Sequence, residues 1–89
     1  MQNIKQKIHS LINDVTDWTN PYLLVEIKAE FPDVDESEAD RIYYEELKRK
    51  IDSLSAEKLS DILKDQQSAS DSNKNYLLIE MIEEVLQSN

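Results

Sequence analysis

The chain has no glycine in 89 residues. Glycine is the residue that tolerates positive φ, and tight hairpin turns, phosphate-cradling loops and left-handed helix caps all depend on it. Its absence makes a sheet-rich fold improbable and removes the familiar nucleotide-binding loops. Helices in such a chain must end at proline, at Asn or Asp, or in polar loops. The expected fold is therefore all-α, a compact bundle of four to five short helices forming a single acidic domain over 1–89.

Hydrophobic spacing places those helices. Ile4, Ile8, Leu11, Ile12 and Val15 fall on one helical stripe, which predicts a first helix over about 3–16, with Trp18 folding back onto the core. Asn20-Pro21 reads as an N-cap followed by proline at the first helical position. It predicts a second helix from Pro21 to about Phe31, stopped by Pro32, with Leu23, Leu24, Ile27 and Phe31 inward. Asp35, with Glu38 three residues on, fits a capping-box variant at the head of the longest helix, about 36–53. Ala39, Ile42, Tyr43, Leu47, Ile51 and Leu54 mark its inner face. Ser55 opens a fourth helix to about Gln66, with Leu59, Ile62 and Leu63 inward. A polar loop over 67–73 leads to a last helix, about 74–87, that is apolar over an unusually wide arc. Trp18, Phe31, Leu47, Leu63, Leu78 and Ile82 are expected at the centre, and the short connections predict packing in sequence order. Ile4–Leu11 and Leu47–Leu54 agree at five of eight positions, a pattern open to two readings: a duplicated hairpin, or two unrelated helices with lysine outside and isoleucine inside.

Charge narrows the partners. Ten basic and nineteen acidic side chains give a net charge of −9, which repels nucleic acid and anionic lipid and favours a basic protein. No apolar run is long enough for a membrane span or a signal peptide, so a soluble, cytoplasmic protein is expected. With no cysteine, disulfide scaffolds, thiol catalysis and thiolate metal sites are excluded. His9 is the only histidine, and its neighbours at helical spacing (Lys5, Gln6, Ile12, Asn13) offer no group to position it for proton transfer, which suggests a solvated side chain. No serine stands in a nucleophile elbow. The runs beginning at Asp33 and Asp71 lack the glycine and the terminal acid of a calcium loop. The expectation is a non-enzymatic protein with no catalytic residues, cofactor or metal.

Two surfaces stand out as interaction candidates. From Asp33 to Glu46 there are seven acids against Arg41 alone. Helix-dipole stabilisation and solvation account for part of that density. Asp33, Asp35, Glu36, Glu38 and Asp40, with Tyr43 and Tyr44, are the candidate partner-binding residues. Read as a helix-turn-helix, the same segment would point its most acidic turns at phosphates, which argues against direct nucleic-acid contact. On the last helix, Tyr76, Leu77, Ile79, Met81 and Leu86 are the candidates for self-association as a homodimer, against the reading that a central core helix has this composition.

Two short resemblances bear on function. Phe31-Pro32-Asp33-Val34-Asp35, followed by Ala39 and Ile42, resembles the start of a CUE-type ubiquitin-binding domain, with Ile62-Leu63 standing for its closing di-leucine. It covers about a third of the chain; Glu30 replaces the usual methionine, and the landmarks lie farther apart than in that family. The resemblance implies a ubiquitin-binding helical module. Arg41-Ile42-Tyr43-Tyr44 is similar to the Ile-Tyr-Tyr stretch of colicin nuclease immunity proteins, which are small, acidic and four-helical. There the tyrosines lie in a short helix closed by proline, whereas Glu45 follows here. That similarity implies an acidic inhibitor. The leading expectation is a small regulator, inhibitor, immunity or antitoxin-like factor that docks a basic partner through the acidic head of the third helix. Self-association through the last helix is the alternative.

Overall fold

Five α-helices follow one another in the computed structural model, which describes residues 3–14, 16 and 18–88. They are α1 (Ile4–Asn13), α2 (Leu23–Glu30), α3 (Glu36–Asp52), α4 (Ala56–Ser68) and α5 (Tyr76–Ser88), with a single 3-10 turn at Asp71–Asn73 before α5. The chain is 76 % helical without strands among the described residues, the all-α bundle expected from the missing glycines. No residue among those described has positive φ, so the glycine-free sequence meets no backbone demand it cannot satisfy.

The ends of the helices show how polar side chains replace glycine. Asn3 forms a full capping box with Gln6 at the head of α1. At α3, Asp35 accepts from the Ser37 amide, and the reciprocal box expected with Glu38 is replaced by a contact from Glu38 to Arg41 at 3.9 Å. Ser55 caps α4 by accepting from the Lys58 amide. The second helix begins later than expected. Asn20 accepts from the Tyr22 amide as an Asx turn, and Pro21 belongs to that turn, so the helix opens at Leu23. The first helix stops at Asn13, short of Thr16, where Asp14 closes it through its amide to the Ser10 carbonyl. Val15, expected on its inner stripe, lies outside the described residues.

Helix α3 is the hub, with α1, α2 and α5 all packed against it. Sequence order fails at one step: α4 lies mainly against α5 and makes little contact with α3. Ile8, Ile12, Ile27, Leu47, Ile51, Leu59, Leu78 and Ile82 are fully buried and form the core. Of the residues expected at its centre, Leu47, Leu78 and Ile82 are there. Trp18, Phe31 and Leu63 instead pack as half-buried side chains around it. Trp18 also carries the Lys50 ammonium 5.5 Å from its ring centroid. In the repeated octapeptide, Ile8 and Ile51 take equivalent places, both fully buried.

Three polar side chains, Glu46, Gln66 and Asn75, are buried with these apolar ones. Asn75, buried, caps α5 by accepting from the Leu78 amide at 3.1 Å. Its own backbone amide donates to the Gln66 side chain at 2.8 Å. Its side-chain amide donates to the Thr19 carbonyl at 3.2 Å and the Tyr43 hydroxyl at 3.4 Å. These bonds tie the α1–α2 connection, α3, α4 and α5 together, and among the described residues no buried side-chain polar atom lacks a partner.

Candidate functional site

The acidic segment lies at the head of α3 and its preceding turn, where Asp33, Asp35, Glu36, Glu38 and Asp40 are all exposed. They are not electrostatically alike. Asp40 is engaged by Lys28 of α2, Nζ to Oδ1 at 2.9 Å. That hydrogen bond is the main reason the Lys28 ammonium is held above its ordinary pKa; partial desolvation opposes it, and the Asp40 and Glu36 charges add to it. Glu38 shares Arg41 with Glu45, which lies closer at 3.1 Å. Among the described residues Asp33, Asp35 and Glu36 enter no ion pair.

Beside this segment α2 presents an apolar face outward. Leu23 and Ile27 point into the core, whereas Tyr22, Val25 and Ala29 are exposed at positions i, i+3 and i+7, on one side of the helix. Val25 is 63 % exposed, one turn before the Lys28 that reaches across to Asp40. The Lys28–Asp40 pair thus joins α2 to the acidic helix, while at the other end of the stripe the Tyr22 hydroxyl donates to the Ser72 carbonyl at 2.8 Å. Sequence spacing assigned α2 only an inner face. The signal was its composition: Leu23-Leu24-Val25-Glu26-Ile27 is too apolar for a helix with one dry side.

The two tyrosines part company. Tyr44 is exposed, but Tyr43 is a core residue at 3 % exposure, so it is not part of an accessible surface. Burial holds its hydroxyl above the ordinary tyrosine pKa, against a smaller opposing effect of the Asn75 hydrogen bond. Nor is there a short helix around this pair, as in the immunity proteins; both lie inside the 17 residues of α3.

On α5, Tyr76 is exposed, Leu77, Ile79 and Leu86 are half-buried, and Met81 is buried. Most of the wide apolar arc is taken up by α3 and α4. Tyr44, Lys48, Met81 and Val85 line a groove of about 310 Å³ between α3 and α5.

A further site was not foreseen. Glu46 of α3 is buried at 2 % side-chain exposure, and its carboxylate accepts from His9 Nδ1 of α1 at 2.9 Å and from Arg49 Nη1 at 3.4 Å. With Glu46 as acceptor the proton sits on Nδ1, which Asn13 Nδ2 also approaches at 3.3 Å, and Nε2 is left for other contacts. Asn13 holds the same turn by donating to the His9 carbonyl at 2.8 Å. A cavity of about 400 Å³ opens here between α1 and α3, lined by Lys5, Gln6, His9, Ser10, Glu46 and Arg49. The partner of His9 stands 37 positions away, so a search of its helical neighbours could not find it. Among the described residues no cluster of His, Asp and Glu has metal-binding geometry, and no helix is long and apolar enough to cross a membrane.

Comparison with protein-family models, curated proteins and solved structures found no match to the chain.

Proposed function

We propose that this chain is a non-enzymatic protein-interaction module that docks a basic partner protein through the head of α3 and the outward face of α2. What supports the reading is that, among the described residues, Asp33, Asp35 and Glu36 enter no ion pair, on a helix that Lys28 ties to the α2 bearing the exposed Val25. Protein interfaces pair an apolar centre with a polar rim, and electrostatic complementarity speeds and selects the encounter. Asp33 and Glu36, in exposed positions, contribute little to stability and are free for a cationic surface, while Asp35 also caps α3 through the Ser37 amide. A regulator, inhibitor or antitoxin-like factor acts in this way, by occlusion rather than chemistry.

The test is capture of the partner from host lysate at low and moderate salt, by the unaltered chain and by a D33K/E36K variant, which keeps the Asp35 cap of α3. Asp40 is left in place because it holds Lys28. A basic protein retained at low salt, released as salt rises and lost with the variant supports the reading. Equal retention by both chains sinks it.

Self-association through α5 is the second reading, favoured by Tyr76, 59 % exposed at the start of that helix, and by the adjoining half-buried Leu77 and Ile79. Its signature is a mass and a melting temperature that rise with protein concentration.

A further inference from the structure

We propose that the cavity between α1 and α3 binds a small phosphomonoester, held by Lys5, His9 and Arg49. This site is separate from the docking surface and does not depend on it.

Charge is the first argument. In a chain of net charge −9, two permanent cations and the only imidazole converge on one cavity that holds a single acid, Glu46. That acid is buried, and both of its oxygens are already engaged, Oε2 by His9 and Oε1 by Arg49. Glu46 is thus a positioning residue, which orients the imidazole and one arm of the guanidinium, as a carboxylate behind a histidine commonly does.

The polar groups left over define the ligand. With Nδ1 given to Glu46, His9 turns Nε2 outward, and its side chain is half exposed. Among the described residues the Arg49 side chain is bonded only through Nη1 to Glu46, which leaves its other N–H groups to donate. Lys5 enters no ion pair among the described residues. Gln6 uses its side-chain oxygen to accept from the Asn3 amide, which leaves its NH₂ group to donate. Ser10 donates to Asp14 and is already occupied.

These donors arrive from two helices and from several directions. A planar carboxylate would be met by the Nε–H and Nη2–H edge of Arg49 alone, which leaves Lys5 and His9 unused. A tetrahedral phosphate, with three terminal oxygens, accepts from separated donors, and Nε2 of His9 shares its acidic proton whichever partner carries it. The volume exceeds what a lone phosphate group fills and lies in the range of small-molecule sites, about 300–1,000 Å³. The organic body of the ester would lie along the alkyl stems of Lys5 and Arg49. Because the donors are side chains, the site needs none of the glycine-rich loops this sequence lacks.

The test is a titration of the full chain with glycerol phosphate at constant ionic strength, followed by the His9 ring resonances and the amides of α1 and α3. Acetate serves as the planar anion, and a K5Q/R49Q variant is titrated in parallel. Both substituted residues are exposed, and far-UV circular dichroism verifies that the helices persist. The expected result is a saturating shift centred on His9, absent with acetate and weakened by about tenfold or more in the variant. A linear, unsaturated drift, an equal response to acetate, or undiminished binding by the variant overturns the proposal.

Discussion

The side-chain amide of Asn75 meets the hydroxyl of Tyr43 at 3.4 Å inside the core, joining the cap of α5 to the middle of α3. The same residue accepts from Leu78 and, through its backbone, donates to Gln66. Replacing Asn75 with alanine removes a helix cap and strands the Tyr43 hydroxyl and the Thr19 carbonyl. A lost cap costs about 1 kcal/mol and each stranded buried group about 1–3 kcal/mol, so N75A should destabilise by about 2–4 kcal/mol in urea denaturation. N75D separates the two contributions: it keeps the cap to Leu78 while removing the NH₂ donor. If both variants unfold at the urea concentration of the unaltered chain, the buried network is not a stability determinant.

The His9–Glu46 pair makes an asymmetric prediction. Glu46 is buried, but both partners, His9 and Arg49, are more than half exposed and can be hydrated on their own. Removing His9 leaves a buried carboxylate with only the longer Arg49 contact, so H9A should cost about 1.5–3 kcal/mol. Removing the carboxylate leaves no buried charge, so E46L should be neutral within about 1 kcal/mol or should stabilise. Chemical denaturation of the two variants decides it. A larger loss for E46L than for H9A would mean that the carboxylate organises α3 by itself.

The residues that were legible in the sequence are those whose role follows from spacing along one helix. Ile4, Ile8 and Ile12, or Leu47 and Ile51, bury themselves because the bundle must dry one stripe of each helix, and the absence of glycine restricted the chain to helices. Pairings across helices were not legible. Glu46 stands between exposed Glu45 and buried Leu47, and nothing in a run of acids marks the one that turns inward to meet His9. Asn75 was expected inside the last helix, whereas it stands just before α5 and its four hydrogen bonds tie the preceding loop to the core. Trp18 and Phe31 were expected at the centre because of their size, but each follows a helix end, where the chain can lay a large ring over the core rather than within it. The outward face of α2 escaped because hydrophobic spacing finds a buried stripe and is blind to a second, uncovered one.

Burial of Tyr43 ties stability to alkaline pH. Its hydroxyl titrates above the ordinary value of 10.0 in the folded chain, whereas the unfolded chain releases that proton from about 10 upward. Above that point the unfolded state binds fewer protons than the folded one, so stability falls as pH rises; below it this residue contributes no slope. Lys28, also raised, from 10.5 and chiefly by Asp40, acts in the same direction slightly higher. Urea midpoints should be insensitive to Tyr43 from pH 8 to 9.5 and decline above it. The decline should be shallower in Y43F. An identical alkaline slope in Y43F assigns the effect to Lys28.

The two faces of α2 give the last prediction, because they separate folding from recognition within one helix. Ile27 is fully buried and Val25 is exposed, two positions apart. I27A should cost about 2–4 kcal/mol through the cavity it leaves. V25S should change stability by less than about 0.5 kcal/mol, since that side chain already faces water. If α2 and the head of α3 form one docking surface, V25S weakens partner capture at every salt concentration, whereas D33K/E36K weakens it mostly at low salt, where unscreened charge matters most. Measured together, the stability and capture of these three variants distinguish a docking face from a merely tolerated one. A V25S chain that captures the partner undiminished would remove α2 from the interface and leave the carboxylates at the head of α3 as the whole of it.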